Sequence, residues 1–222
     1  MIKIADLTFN VLEGNKKRQI LNIPNYVFDE GKINVICGPS GSGKTTLLYA
    51  LGGILEISSG TVTISGTSVY SLKQQERDHF RMKHISMIYQ NFNLFSFMTV
   101  EENILAPYFI RGLKVDQKVK QKVADYLKLM NLGKIQNKSI SALSGGEQQR
   151  VAIIRSMILK PSVILCDEPT ASLDSENTIR FMQSLIALNN EKPTTVIIAT
   201  HDEKVMRFAE NKIQMVDGKI MK

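Results

Sequence analysis

The stretch that most constrains the fold runs from Ile33 to Leu51, INVICGPSGSGKTTLLYAL. Its first five residues are a short apolar run of the kind that forms a buried strand, and KTTLLYAL, stopped by Gly52 and Gly53, reads as a helix. Between them GPSGSGKT satisfies GxxxxGK[ST] residue for residue. Glycines 38, 41 and 43 let such a loop curl until its backbone N–H groups face a phosphate at the positive end of the helix. Lys44 then reaches the outer phosphates, and the Thr45 hydroxyl is placed to ligate Mg²⁺.

The rest of the chain alternates short strands and helices without an internal repeat. Strands are expected over Ile2 to Phe9, Gly60 to Gly66 (GTVTISG) and Ile85 to Tyr89. From Gln90 to about Lys160 the pattern turns mainly helical, with a break at APYFIRG (106–112) and helices near Val115 to Met130 and Glu147 to Leu159. Strands resume with SVILCDE (162–168) and TTVIIAT (194–200), separated by a helix over roughly Ser175 to Asn189. IQMVDGKIM, from Ile213, reads as a hairpin turning at Asp217-Gly218. Strands on both sides of a helical stretch imply an α/β core with a helical insertion.

With 222 residues, 43% hydrophobic and 22% charged, the chain is of ordinary globular composition and long enough for one core plus a smaller subdomain. No apolar run approaches the roughly 18 residues of a membrane span, and MIKIADLTFN lacks the continuous apolar segment of a secretion signal. A cytoplasmic location is therefore expected. Cys37 and Cys166 sit inside apolar runs, as free buried thiols do. The net charge of +7 is concentrated over Lys114 to Lys138 and interleaved with Asp116 and Asp125, as on a solvated helix face. No aromatic-interleaved RNA motif or zinc spacing accompanies it, so nucleic acid is not an expected partner.

Two further elements carry chemistry. VILCDEP brings Asp167 and Glu168 together at the polar end of a buried strand. Alone this can be a helix cap; after a phosphate loop it assigns Asp167 to the metal's water shell and Glu168 to orienting and deprotonating an attacking water. LSGGEQQR (143–150) opens a helix with Gly145 and Gly146, which is either a purely structural start or a second anion site.

Taken in order, GPSGSGKT, Gln90, LSGGEQQR, VILCDEPTASLD and His201 resemble the nucleotide-binding subunit of an ATP-binding cassette transporter over essentially the whole chain. YQNFNLFSFMTVEENILAP is similar to the branch that powers lipoprotein release, macrolide or haem export, and peptide-antibiotic resistance. The resemblance implies a P-loop NTPase core with a mostly parallel sheet, an N-terminal antiparallel β subdomain and a helical insertion. The core would comprise 1–89 and 161–222, and the helical subdomain 90–160. It implies a head-to-tail dimer in which each ATP lies between the P-loop of one chain and the LSGGE of the other, so that one chain forms half of two sites.

On that resemblance Gly38, Pro39, Ser40, Gly41, Ser42, Gly43, Lys44, Thr45 and Thr46 bind nucleotide phosphates in one chain, and Ser144, Gly145, Gly146 and Glu147 meet the γ-phosphate from the other. Mg²⁺ falls to Thr45, Gln90 and Asp167, and catalysis to Glu168, Gln90 and His201, the last contacting the γ-phosphate. Asp174, in ASLD, corresponds to a loop through which the two sites sense each other, although it also reads as a helix cap. His79 and His84 have no such placement and are expected to be structural or surface residues.

One position departs from the family pattern. Where an aromatic would stack on adenine stands Val11; Phe9 either replaces it or packs in the core. Phe92, Leu94, Phe95, Phe97 and Met98 crowd together after Gln90, either as the core of the insertion or as a groove for a short helix of a separate membrane permease. The expected role is an ATPase at the cytoplasmic membrane face driving such a permease, most consistent with extrusion. The alternative is a motor that signals across the membrane in cell division or stress sensing.

Overall fold

The computed structural model describes residues 1–222 apart from 15, 192 and 222, and the backbone alone of residue 191. Strands β1 (Ile2–Glu13), β2 (Lys16–Phe28), β4 (Ser59–Ile64) and β5 (Thr67–Ser68) form a four-stranded antiparallel sheet in the order β2-β1-β4-β5. A second sheet has the order β10-β9-β3-β8-β7-β6, from β3 (Ile33–Cys37), β6 (Ile85–Ile88), β7 (Val163–Asp167), β8 (Thr195–Ala199), β9 (Asn211–Val216) and β10 (Lys219–Ile220). Every pairing in it is parallel except the terminal hairpin β9–β10. That hairpin turns at Asp217 (φ 45°) and Gly218 (φ 74°), two consecutive left-handed residues, which matches the right-handed twist of the strands.

The helices are α1 (Lys44–Leu51), α2 (Gln74–His84), α3 (Val100–Ile110), α4 (Gln117–Leu129), α5 (Gly145–Met157), α6 (Ser175–Glu191) and α7 (Glu203–Met206). The period-2 alternation of the parallel strands sends their side chains to two layers. Val35, Ile164, Cys166, Val196 and Ile198 join a cluster with Ile104, Val123, Leu127, Val151, Ile154, Phe181 and Leu185 from α3 to α6. Their neighbours Ile36, Leu165, Ile197 and Ala199 join the opposite cluster with Leu47, Leu48 and Leu51 of α1 and the inner face of the antiparallel sheet. The second sheet is thus buried on both faces, and its C-terminal edge is where the loops after β3, β6, β7 and β8 emerge.

Three local elements differ from expectation. β2 is an edge strand with Leu21, Ile23 and Phe28 inward, and most of its other residues, including Lys16, Lys17 and Arg18, are exposed, so little apolar alternation is legible. α2 buries only Arg77 of QQERDHFRMKH and therefore has no apolar stripe to read. The break expected at APYFIRG falls at its end and not at its proline: α3 passes through Pro107, forgoing one helical bond, and ends at Ile110 before Gly112 (φ 61°), where the Leu113 N–H bonds the Tyr108 carbonyl at 2.9 Å.

The smaller expectations hold. Both cysteines are free, Cys166 fully buried and Cys37 partly so. Lysines 118, 120 and 128 lie on the exposed face of α4. His79 is exposed, and His84 stacks on Phe80 at 4.5 Å.

Candidate functional site

The loop between β3 and α1 adopts the curled form that its glycines permit. Gly38, Gly41 and Gly43 have φ of 156°, 79° and 96°. At Gly38 the constraint is also spatial, because a Cβ there would stand 2.1 Å from the Met215 carbonyl oxygen. The C-terminal hairpin therefore braces the loop, and the Gly218 N–H bonds the Ser42 carbonyl at 3.0 Å. Lys44, almost fully buried, folds back across the loop and donates from Nζ to the carbonyls of Gly38 (2.9 Å) and Pro39 (3.0 Å). A buried ammonium parked on two carbonyls is poised for a stronger anionic partner. Ser42 is buried with an Oγ that has no hydrogen-bond partner among the described residues.

β7 ends beside this loop. Thr45 Oγ1 donates to Asp167 Oδ1 at 2.8 Å. Burial raises the Asp167 pKa above the ordinary carboxylate range; Thr45 opposes it by hydrogen bonding, and neighbouring Glu168 adds to it. Glu168 itself has φ 44°, a left-handed conformation rare for a residue with a side chain and typical of functional sites. Its backbone N–H bonds the Ala199 carbonyl at 2.9 Å, its Oε2 accepts from Thr200 Oγ1 at 3.2 Å, and its Oε1 lies 3.0 Å from His201 Nδ1.

A cavity of about 550 Å³ is lined by Ile20, Ser40, Gly41, Gly43, Lys44, Thr45, Thr46, Gln90, Glu168, Ala171 and His201. One chain thus brings together at this cavity the glycine-rich loop with Lys44, the Thr45 hydroxyl with Asp167 bonded to it, the Glu168 carboxylate, the Gln90 amide and the His201 imidazole. It does not bring the LSGGE segment to them. Ser144 caps α5, accepting from the Glu147 N–H at 3.3 Å, while Glu147 accepts from the Ser144 N–H at 2.8 Å and from its hydroxyl at 2.9 Å. These bonds hold the Glu147 carboxyl below its usual pKa. Ser144 and Gly145 are exposed, and a Cβ on Gly145 would meet nothing within 4 Å. Asp174 is exposed as well and caps α6, accepting from the Asn177 N–H at 2.8 Å.

Residues 21–171 match the family model of the ABC transporter. The chain belongs to the ABC transporter family. It carries the ATPase domain of that family, and relatives match it end to end. The ABC transporter ATP-binding protein YtrE of Bacillus subtilis (strain 168) is 38% identical, covering 98% of this chain and 96% of its own. The lipoprotein-releasing system ATP-binding protein LolD of Bacteroides thetaiotaomicron is also 38% identical, over 100% of both chains. The bacitracin export ATP-binding protein BceA of Halalkalibacterium halodurans is 35% identical over 92% of this chain and 80% of its own. Among solved structures, the ATP-binding cassette MJ0796, a dimer in a post-hydrolysis state bound to ADP and Pi, superposes with a TM-score of 0.86 at 35% identity, covering 100% of this chain and 97% of that one.

Other residues of this ABC domain have no local signal in the sequence, because only tertiary contacts bring them to the site. Ile20, on the unread strand β2, lines the cavity, whereas Val11 and Phe9 do not; Phe9 packs against the core cluster beneath. Thr200, fully buried, holds Glu168 from the end of β8. Asn103, with no exposed surface, accepts from the Phe95 N–H at 2.8 Å and donates to the carbonyls of Phe95 and Thr99 at 3.0 and 2.9 Å, pinning the loop before α3. The cluster after Gln90 divides: Phe92 is buried and Leu94 packs on the core, while Phe97 is 80% exposed.

Proposed function

We propose that this chain hydrolyses ATP in a head-to-tail dimer of two copies and drives a separate membrane permease. The observation that carries the reading is the convergence of Lys44, Thr45, Gln90, Glu168 and His201 on one cavity. Phosphates entering it would draw Lys44 from the Gly38 and Pro39 carbonyls and meet the N–H groups of the loop from Gly38 through Thr46. Glu168 takes the proton of a water aligned on the γ-phosphorus as the new P–O bond forms and the bond to ADP breaks. His201 orients the carboxylate, and Gln90 fixes the water.

The donors present suit Mg²⁺: Thr45 Oγ1 and Asp167 Oδ1 are hard oxygens held together, and Gln90 offers an amide oxygen at the same cavity. When bound, the ion would neutralise charge on the phosphates and offset the desolvation that raises the Asp167 pKa.

The partner copy would supply Ser144, Gly145, Gly146 and Glu147 to the γ-phosphate, with Asp174 near the two-fold axis. This reading is supported by the exposure of Ser144 and Gly145 outside their own chain's cavity and by the dimeric MJ0796. We further propose 90–160 as a helical subdomain set on a core of 1–89 and 161–222. Among the described residues no helix is long and apolar enough to cross a membrane. The permease contact we assign is a second cavity, about 330 Å³, beside Gln90–Met98, whose lining includes Met82, Met87, Phe95, Pro107 and Ile110. The chain would then sit on the cytoplasmic membrane face, and the names of LolD and BceA favour an extrusion system.

The test is Glu168→Gln. Hydrolysis should fall by about 100-fold or more while ATP is retained and the purified protein shifts to dimer size. Hydrolysis near the wild-type rate would exclude Glu168 as the base.

A further inference from the structure

Gln90 sits in a connection whose shape is costly. Two and three residues after it, Phe92 and Asn93 have φ of 57° and 46°, two consecutive left-handed residues neither of which is glycine. The local backbone bonds, Phe92 N–H to the Tyr89 carbonyl at 3.0 Å and Asn93 N–H to the Asn91 carbonyl at 2.6 Å, make a tight turn but leave its outward carbonyls unclaimed. Both are claimed from a distant element. In the last turn of α5, Arg155 donates from Nη1 to the Asn93 carbonyl at 2.6 Å and from Nη2 to the Phe92 carbonyl at 2.5 Å.

Among the described residues, no other side chain hydrogen-bonds the backbone of 89–94. The planar fork of a guanidinium gives each of the two adjacent carbonyls its own nitrogen in a fixed geometry, which the single nitrogen of an ammonium does not reproduce. On its other side the Arg155 side chain lines the groove shared by Tyr89, Asn93 and Phe95. The far end of the loop is fastened separately by Asn103 through Phe95. Arg155 thus holds the segment between Gln90 and that anchor, and it does so from the same helix whose first turn carries Ser144 and Gly145.

We propose that Arg155 is a positioning residue for hydrolysis: it holds the loop after Gln90 so that the Gln90 side chain faces the phosphate cavity, and it ties Gln90 mechanically to α5. The inference rests on the reading of Gln90 given above. Because a helix moves as a rigid rod, a tilt of α5 started at its N-terminus reaches Gln90 through this fork. Arg155 touches neither nucleotide nor water in this role, so its loss should alter turnover and leave nucleotide binding in place.

The experiment compares Arg155→Met and Arg155→Lys with wild type, each also in a Gln90→Ala background, by steady-state ATP hydrolysis, nucleotide affinity and thermal melting. Arg155→Met is expected to lower kcat about ten-fold with KM for ATP within about two-fold, and Arg155→Lys to recover part of the loss. In the Gln90→Ala background the same change should cost less than about two-fold, because both lesions remove one function. Equal losses in the two backgrounds, or an unchanged kcat in Arg155→Met, would overturn the proposal, as would wild-type turnover in Gln90→Ala. If Arg155→Met does not fold, the Lys variant carries the same comparison between backgrounds. Failure of the ATPase reading is separately visible as unimpaired hydrolysis in Glu168→Gln.

Discussion

His201 Nδ1 lies 3.0 Å from Glu168 Oε1, and the bond joins the ends of two adjacent parallel strands, β7 and β8. Glu168 leaves its strand in a left-handed turn, and Thr200 occupies its second oxygen. The carboxylate is therefore aimed by the loop of the neighbouring strand and not by its own helix. His201→Ala should lower hydrolysis by about 10- to 100-fold, the usual loss when a group that orients a reactive one is removed, with ATP binding retained. A fluorescent-nucleotide titration beside a phosphate-release assay checks both halves. Turnover that stays at the wild-type rate would show that Thr200 and the backbone suffice to aim Glu168.

The separation of Ser144 from its own cavity makes a specific forecast for mixed dimers. Lys44→Ala in one copy and Ser144→Arg in the other, both carrying Glu168→Gln, concentrate the two lesions in one site when the sites form across the dimer. About one tightly held ATP per mixed dimer is expected. Finding none, while the dimer altered only at Glu168 holds two, would sink the arrangement.

Base selectivity should be modest. The cavity wall contributed by β2 is aliphatic Ile20, and the Phe9 ring is committed to the core. An aliphatic wall offers no hydrogen-bond donor or acceptor to a base edge, so the site should prefer ATP over GTP by far less than a thousandfold in competition binding, while the missing stacked ring, worth about 1–3 kcal/mol, weakens both nucleotides alike. Ile20→Tyr should tighten both nucleotides together. A strong native preference for ATP would mean that a residue outside this wall grips the base.

The Ser144–Glu147 capping pair has a pH signature. Its hydrogen bonds hold the folded-state Glu147 pKa below the ordinary 4.5, so the pair's contribution is fully present above that value and is lost as pH falls through the lowered one. Glu147→Ala should therefore melt below wild type at neutral pH, and the gap should close on acidification past that point. Melting curves that diverge further in acid would contradict the pairing.

Much of the candidate site was legible because its residues are consecutive. A phosphate cradle needs backbone curvature over a few positions, so Gly38 to Thr45 announce themselves, and a carboxylate pair at a strand end is equally local. β2, α2 and the course of α3 through Pro107 were not legible, since each takes its stability from a neighbour: β2 from pairing with β1, α2 from one buried arginine, α3 from Asn103 and the core. The cluster after Gln90 could not be apportioned between core and groove until the loop's left-handed residues set where each ring points.

By itself the sequence determined the α/β class, the family, and the motif residues proposed for phosphate and proton chemistry, because those depend on short-range periodicity and residue type. Only the tertiary structure decided which groups share a cavity. It set Ile20 in the cavity wall, brought Thr200 and His201 onto Glu168, parked Lys44 on its own loop, and left Ser144 facing outward. The reason is geometric: parallel strands adjacent in the sheet are far apart in the chain, so the loops that meet at their C-terminal ends have no common signal in the order of residues.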